Sequence, residues 1–144
     1  MNILVINGPN LNMLGRREAN QYGDISFIEL EEFITAHATS NNIDIELYQS
    51  NIEGEIVTKI QESSHFDGII INAGAYTHTS IAIRDALLSI KAKFIEVHMS
   101  NVYSREPFRQ KSYLSDIAMG VIAGFKEHSY ILALDYFNTG VWQW

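Results

Sequence analysis

Residues 68–74 read Gly-Ile-Ile-Ile-Asn-Ala-Gly, and this stretch decides the fold. Its apolar run is continuous, which is typical of a central strand in a parallel sheet that is covered on both faces. Asn72 ends the run, and Gly74 allows the backbone to approach a ligand closely. We therefore expect a buried strand whose carboxyl end carries polar groups.

Four further strands are predicted around this central one. Residues 2–6 form an apolar run stopped by a Gly/Pro turn, residues 43–48 alternate as an edge strand does, and residues 94–98 form another apolar run. Residues 117–125 have the pattern of either a helix or a strand. Gly120 and Gly124 bracket the apolar pair between them, so we favour a fifth strand.

Helices are predicted between these strands. Ser26 and Glu29 have the spacing of a capping box, isoleucines spaced by four indicate a helix from residue 52 to about residue 65, and Ser80 is a helix cap. Residues 127–137 close the chain as a helix. Alternating strands and helices predict a five-stranded parallel sheet flanked by helices, a three-layer, flavodoxin-like α/β fold in a single domain over residues 1–144.

Composition excludes several classes of protein. The chain has 144 residues, a net charge of −7 and no cysteine. The negative charge argues against a general nucleic-acid or anionic-membrane partner, because such proteins use basic surfaces. Absent cysteines exclude disulfides, thiolate metal sites and a cysteine nucleophile. No apolar run reaches membrane-spanning length and no signal-peptide pattern is present, so we expect a cytoplasmic protein.

The segment 7–24, which we call the lid segment, is long for a connection between a strand and a helix and is expected to be mobile. It contains Arg17 and Tyr22. A tyrosine is a poor base at neutral pH, but a nearby guanidinium favours phenolate and lowers the phenol pKa. The alternative is a solvated loop with a packed tyrosine. Asn10 lies in a Gly/Pro turn, where turn formation competes with a catalytic role.

Two more polar segments follow predicted strands and should meet the lid segment at one sheet edge. In the first, His78 precedes a helix start, and Asp85 in that helix is expected to reach back toward a ligand hydroxyl. The alternative is an incidental histidine with Asp85 paired to Arg84 at the surface.

In the second segment, Glu96 and His98 are two residues apart on a strand, so their side chains share a face. A carboxylate beside an imidazole orients the ring and stabilises its protonated form, as a general acid requires. Ser100 and the main chain at Met99 are candidates to hold a carboxylate, with Arg109 as a clamp. The alternative for Arg105 and Arg109 is an exposed pair that forms salt bridges.

Cofactor and metal motifs are not found in the sequence, which contains no H-E-x-x-H, GxxxxGK[ST] or G-x-G-x-x-G pattern. A rival interpretation is a non-catalytic module of the same fold, such as a receiver or flavin-binding domain. Receivers need clustered aspartates at the strand ends, where this chain has asparagines and a histidine. Another cofactor-free lyase on this scaffold is a second rival.

These residues give the chain a resemblance to the type II 3-dehydroquinate dehydratases over nearly its whole length. The resemblance rests on four blocks, which are Val5-Ile6-Asn7-Gly8-Pro9-Asn10-Leu11, Leu14-Gly15-Arg16-Arg17-Glu18 with Tyr22-Gly23, Asn72-Ala73-Gly74-Ala75 with Thr77-His78-Thr79-Ser80, and Ile95-Glu96-Val97-His98 with Ser100-Asn101. It implies a cofactor-free, metal-free enzyme that dehydrates 3-dehydroquinate to 3-dehydroshikimate in the shikimate or quinate pathway. It also implies a homododecamer built from trimers.

The resemblance also implies a role for each site residue. Tyr22 would remove the proton next to the ketone, Arg17 would lower the pKa of that phenol, and Asn10 would hold a water or the enolate oxygen. His98, oriented by Glu96, would protonate the departing hydroxyl. The residues matching substrate-binding positions are Asn72, His78, Asp85, Met99, Ser100 and Arg109.

Overall fold

A computed structural model describes residues 1–16 and 19–142 of the chain. Its five strands are β1 (Asn2–Asn7), β2 (Asp44–Gln49), β3 (Gly68–Asn72), β4 (Phe94–His98) and β5 (Gly120–Ala123). They form one parallel sheet in the order β2-β1-β3-β4-β5. The predicted parallel sheet is therefore confirmed, including the edge position of β2 and the fifth strand that sequence alone left ambiguous.

Within the described residues, five α-helices accompany the sheet, namely α1 (Ala19–Tyr22), α2 (Phe27–Ser40), α3 (Glu53–Gln61), α4 (Ile81–Ser89) and α5 (His128–Asn138). Helices α2 and α5 pack on one face of the sheet, and α3 and α4 pack on the other. The three-layer architecture is confirmed. None of the helices in the described ranges is long and apolar enough to cross a membrane.

Helix starts agree better with the sequence prediction than helix ends. Ser26 accepts a hydrogen bond from the Glu29 amide, and the Glu29 carboxylate accepts one from the Ser26 amide, so the capping box is present. The second predicted helix is wrong at its end, because α3 stops at Gln61 and not near residue 65. The Ser63 hydroxyl donates to the Lys59 carbonyl there and competes with the helical pattern.

The central strand β3 is fully enclosed, as its apolar run predicts. At its start, a Cβ on Gly68 would lie 2.4 Å from the Phe137 ring of α5, so only glycine lets the helix pack this closely. At its end, a Cβ on Gly8 would lie 2.4 Å from the Ala73 carbonyl oxygen. The loop that follows β1 therefore crosses directly over the carboxyl end of β3, where the polar residues begin.

The lid segment contains more regular structure than its polar sequence predicts. A 3-10 helix spans Leu11–Met13, α1 ends at Tyr22, and Leu11, Leu14 and Tyr22 are all buried in the core. These apolar anchors hold both ends of the segment against the sheet. Arg17 lies outside the described residues, and the mobility of the segment stays a prediction.

Candidate active site

A cavity of about 120 Å³ lies at the carboxyl edge of the sheet, enclosed by the segments that follow β1, β3 and β4. This location is where open α/β sheets bind ligands. Most of the predicted site residues line the cavity, namely Asn10, Tyr22, Asn72, His78, His98, Met99, Ser100 and Arg109. The structure thus brings the three segments together at one cavity through these residues, and their roles there stay a prediction.

Glu96 and His98 form a buried pair on β4. Residues Glu96 and His98 are 1% and 6% exposed, and His98 Nε2 lies 2.6 Å from Glu96 Oε1. His98 lines the cavity while Glu96 lies behind it, so the ring is held between the carboxylate and the space for a ligand. This arrangement fixes the orientation of the imidazole toward the cavity.

Two serines that sequence reasoning missed complete the surroundings of Glu96. Ser112 Oγ donates to the carboxylate at 2.9 and 3.1 Å, and Ser115 Oγ donates to Oε2 at 2.5 Å. Burial by itself raises the pKa of Glu96, but the hydrogen bond and charge of His98 and the two serine hydroxyls outweigh it. The net pKa of Glu96 therefore lies below its ordinary value.

His78 lies beside His98 with the two rings stacked, their centroids 6.3 Å apart. Its Nδ1 is 2.7 Å from the Lys111 carbonyl oxygen, which can only accept, so Nδ1 carries the proton. Burial lowers the pKa of His78, and the charges of His98 and Arg109 add to this effect. The ring is thus favoured in its neutral form, with Nε2 as an acceptor for a ligand hydroxyl.

Arg105 contacts the Tyr22 phenol. Its Nη1 donates to Tyr22 Oη at 2.9 Å and to Ser100 Oγ at 3.1 Å, and its guanidinium carbon lies 5.4 Å from the Tyr22 ring centroid. The predicted partner, Arg17, lies outside the described residues. Arg105 is half-buried in the cavity wall, so its interpretation as one of an exposed pair is wrong.

The other arginine of that predicted pair behaves differently. Arg109 is ion-paired with Glu106, one helical turn before it, and is half-buried while lining the cavity. The pair with Glu106 agrees with the surface alternative, and the position in the cavity wall agrees with the predicted clamp. One signal for Arg105 was present in the sequence, because it follows β4 in the same loop as Arg109.

The two asparagines of the site differ in their surroundings. Asn10 has a left-handed backbone with φ of 69°, which fits the turn interpretation. Its backbone N–H donates to Asn51 Oδ1 at 3.0 Å. It nevertheless lines the cavity. Asn72 accepts from the Gly74 amide at 3.2 Å and donates from Nδ2 to the Tyr130 hydroxyl at 2.8 Å.

Asp85 is separated from these residues. It is exposed on α4, whose buried residues Ile83, Ala86 and Leu87 face the sheet, and it is not among the residues lining the cavity of this chain. The alternative interpretation, a surface pair of Asp85 with Arg84, is not seen either, because Arg84 forms an ion pair with Asp116. Within residues 1–16 and 19–142, no group of three or more histidines and carboxylates is arranged to hold a metal ion.

The sequence matches the family model described as dehydroquinase class II over residues 1–138. The chain belongs to the class II dehydroquinase family. The resemblance stated from its motifs is thereby confirmed. The match to this family covers all three segments that build the cavity.

Relatives within the dehydroquinase family are similar along nearly their whole length. A protein of Prochlorococcus marinus (strain MIT 9215) named 3-dehydroquinate dehydratase is 56% identical, covering 94% of this chain and 92% of that protein. One from Haemophilus influenzae with the same name is 52% identical, covering 93% of each. The crystal structure of type II dehydroquinase from Butyrivibrio crossotus DSM 2876 superposes with a TM-score of 0.94 at 52% identity, covering 96% of this chain and 97% of that one.

Proposed function

We propose that this chain is a 3-dehydroquinate dehydratase, which eliminates water from 3-dehydroquinate to give 3-dehydroshikimate through an enolate-like intermediate. The observation that carries the proposal is the pairing within one small cavity. Tyr22 contacts a guanidinium there, and His98 is backed by a buried carboxylate. Base and acid thus have separate charged partners, as an elimination requires.

The first step is removal of the proton next to the ketone. Tyr22 as phenolate accepts this proton, and the electron pair of the broken C–H bond moves onto the ketone to form an enolate. Arg105 stabilises the phenolate by charge attraction at hydrogen-bond distance. Arg17 is proposed to act alongside it, and Asn10 to hold a water or the developing enolate oxygen.

The second step is loss of the hydroxyl group. His98 as imidazolium donates its proton to the departing oxygen while the enolate electrons form the new carbon–carbon double bond. The C–O bond breaks and water leaves. Glu96 stays ionised throughout and stabilises the imidazolium, because its two serine partners and His98 hydrogen-bond to the carboxylate form.

Substrate binding is assigned to the remaining polar groups of the cavity. The substrate carboxylate is an anion, and Arg109 with Ser100 and the Met99 main chain provide a cation and hydrogen bonds for it. His78 and Asn72 are placed to bind hydroxyl or carbonyl oxygens. These local charges decide capture in spite of the net charge of −7, because charges beyond about 8–10 Å are screened.

We further propose a cytoplasmic homododecamer built from trimers, acting in the shikimate or quinate pathway. An exposed apolar groove of about 700 Å³ beside β5, which includes Tyr103, Val121 and Phe125, supports self-association. A contact of Asp85 with substrate would then come from a neighbouring copy, since Asp85 does not line the cavity of its own chain. Light scattering of the purified protein measures the assembly mass directly.

The test of the activity is to add 3-dehydroquinate and record ultraviolet absorbance, since the product contains a conjugated enone. We expect the parent protein to form it. Tyr22→Phe should lose nearly all turnover while still binding substrate, and His98→Ala should stall loss of the hydroxyl. Tyr48→Phe, on the edge strand β2 and outside the cavity lining, is the matched control and should keep parental activity. No enone from the parent protein would end the proposal.

A further inference from the structure

A chain of three hydrogen-bonded side chains runs from the cavity into the core. Asn72 Nδ2 donates to Tyr130 Oη at 2.8 Å, and Tyr130 Oη donates to Asn7 Oδ1 at 2.6 Å. Asn72 ends β3 and Asn7 ends the neighbouring β1, while Tyr130 comes from α5. Helix α5 thus contacts, through Tyr130, the residue that forms the floor of the cavity.

One backbone donor fixes which atom donates and which accepts in each of these side-chain hydrogen bonds. The Gly74 amide can only donate, so the Asn72 atom that it contacts at 3.2 Å is the carbonyl oxygen Oδ1. The amide nitrogen Nδ2 therefore faces Tyr130, whose oxygen accepts. The phenol proton of Tyr130 is then left for Asn7 Oδ1.

Burial keeps this arrangement in one state. Tyr130 is 0% exposed, Asn7 1% and Asn72 4%, so water does not compete for these groups. Burial also raises the pKa of Tyr130, which keeps it a neutral phenol with its proton in place. An amide held at both ends in this way has one orientation toward the cavity that it lines.

We propose that Tyr130 is a positioning residue that holds the Asn72 amide so that its second N–H donates to an acceptor oxygen of the bound substrate. One N–H of Nδ2 is used by Tyr130 and Oδ1 is used by Gly74, so the remaining N–H is the group offered to a ligand. Without the phenol, only the 3.2 Å bond from the Gly74 amide holds the Asn72 side chain, so the amide can tilt away from the position in which its free N–H donates to the substrate. This inference rests on the proposed function.

Tyr130→Phe tests the proposal because it removes the hydroxyl and keeps the ring that packs in the core. We expect KM for 3-dehydroquinate to rise about tenfold with a smaller change in kcat, the loss typical of one binding hydrogen bond. Asn72→Ala should weaken binding similarly. In the Asn72→Ala background, Tyr130→Phe should have no further effect on KM, because it acts through Asn72.

Tyr48→Phe, on the edge strand β2 and outside the cavity lining, is the matched control and should keep the parental KM. If Tyr130→Phe does not fold, Asn7→Ala offers a second test, because it removes the acceptor of the Tyr130 phenol proton and leaves every residue of α5 unchanged. KM for 3-dehydroquinate should again rise. A parental KM in the folded variants, or equal effects of Tyr130→Phe with and without Asn72, would overturn this inference alone. Absence of enone formation by the parent protein would instead overturn the proposed function.

Discussion

Glu96 is the side chain of the site that costs most to bury, because a buried carboxylate loses several kcal/mol of hydration free energy. Three donors offset that loss, His98 from the same strand and Ser112 and Ser115 from the segment before β5. The carboxylate is thereby fully engaged and points its charge at the imidazole. The acid of the proposed reaction depends on residues that never touch the cavity.

Ser115→Ala should therefore weaken both folding and activity. The variant loses the 2.5 Å hydrogen bond to Glu96, and we expect unfolding free energy to fall by about 1–3 kcal/mol, the cost of one lost bond to a buried charge. Because this donor lowers the pKa of Glu96, its removal should shift the acid limb of the pH–rate profile upward. Urea titration and a pH–rate series measure the two effects.

The control for this variant is Ser89→Ala, which removes a hydroxyl bonded to the Ala86 carbonyl on the exposed side of α4. It should leave the pH profile unchanged. An unshifted acid limb in a folded Ser115→Ala protein would contradict the electrostatic role of the serine.

Arg105 and Arg109 should separate by kinetics even though both line the cavity. Arg105→Met removes the cation at Tyr22 Oη, so we expect kcat to fall about 10²–10³-fold, as for loss of one charge-stabilising donor. Arg109→Met removes a proposed clamp on the substrate carboxylate and should mainly raise KM. Steady-state kinetics of the pair measure this, and equal losses of kcat in both would contradict the assignment.

The loop after β1 and the end of β3 form a junction that tolerates no extra atom. The Gly8 amide donates to the Asn72 carbonyl at 2.8 Å, and the Ala73 backbone lies where a Cβ on Gly8 would be. The two loops carry Asn10 and Asn72, so their spacing sets the cavity floor. A methyl group here must push one loop away from the other.

Gly8→Ala should destabilise the protein by about 1–3 kcal/mol, the usual cost of forced overpacking, and lower turnover by displacing Asn10. Gly54→Ala is the matched control, since this exposed glycine of α3 has nothing within 4 Å of the added Cβ. It should stabilise the protein by at most about 1 kcal/mol because alanine is the better helix former. Thermal melts of both variants measure these changes. Equal shifts of the melting temperature in the same direction would contradict the packing argument.

The fold of the described residues shows which features are determined by local sequence. The parallel sheet and its polar edge were predictable because each strand is a local apolar run and parallel strands end at one side. Arg105 to Tyr22, Tyr130 to Asn72 and Ser115 to Glu96 were not, since their partners are 83, 58 and 19 residues apart. From sequence alone, Tyr130 is explained fully as one of the buried residues on the apolar face of α5. Only the tertiary structure shows that its hydroxyl lies under the cavity.

Stability of the whole molecule should decrease on acidification in two stages. Burial holds the pKa of His78 below 6.5, so the unfolded chain takes up that proton first and stability falls as pH drops below this value. The lowered pKa of Glu96 gives stability that is present above pH 4.5 and lost as pH falls toward the pKa of the folded protein.

Melting temperatures from about pH 8 to pH 3 should show both stages. His78→Gln should remove the upper stage, and Glu96→Gln should reduce the lower one, to which the other carboxylates with lowered pKa also contribute, while exposed Glu32→Gln should leave both. Unchanged slopes in the first two variants would show that other groups carry the acid dependence.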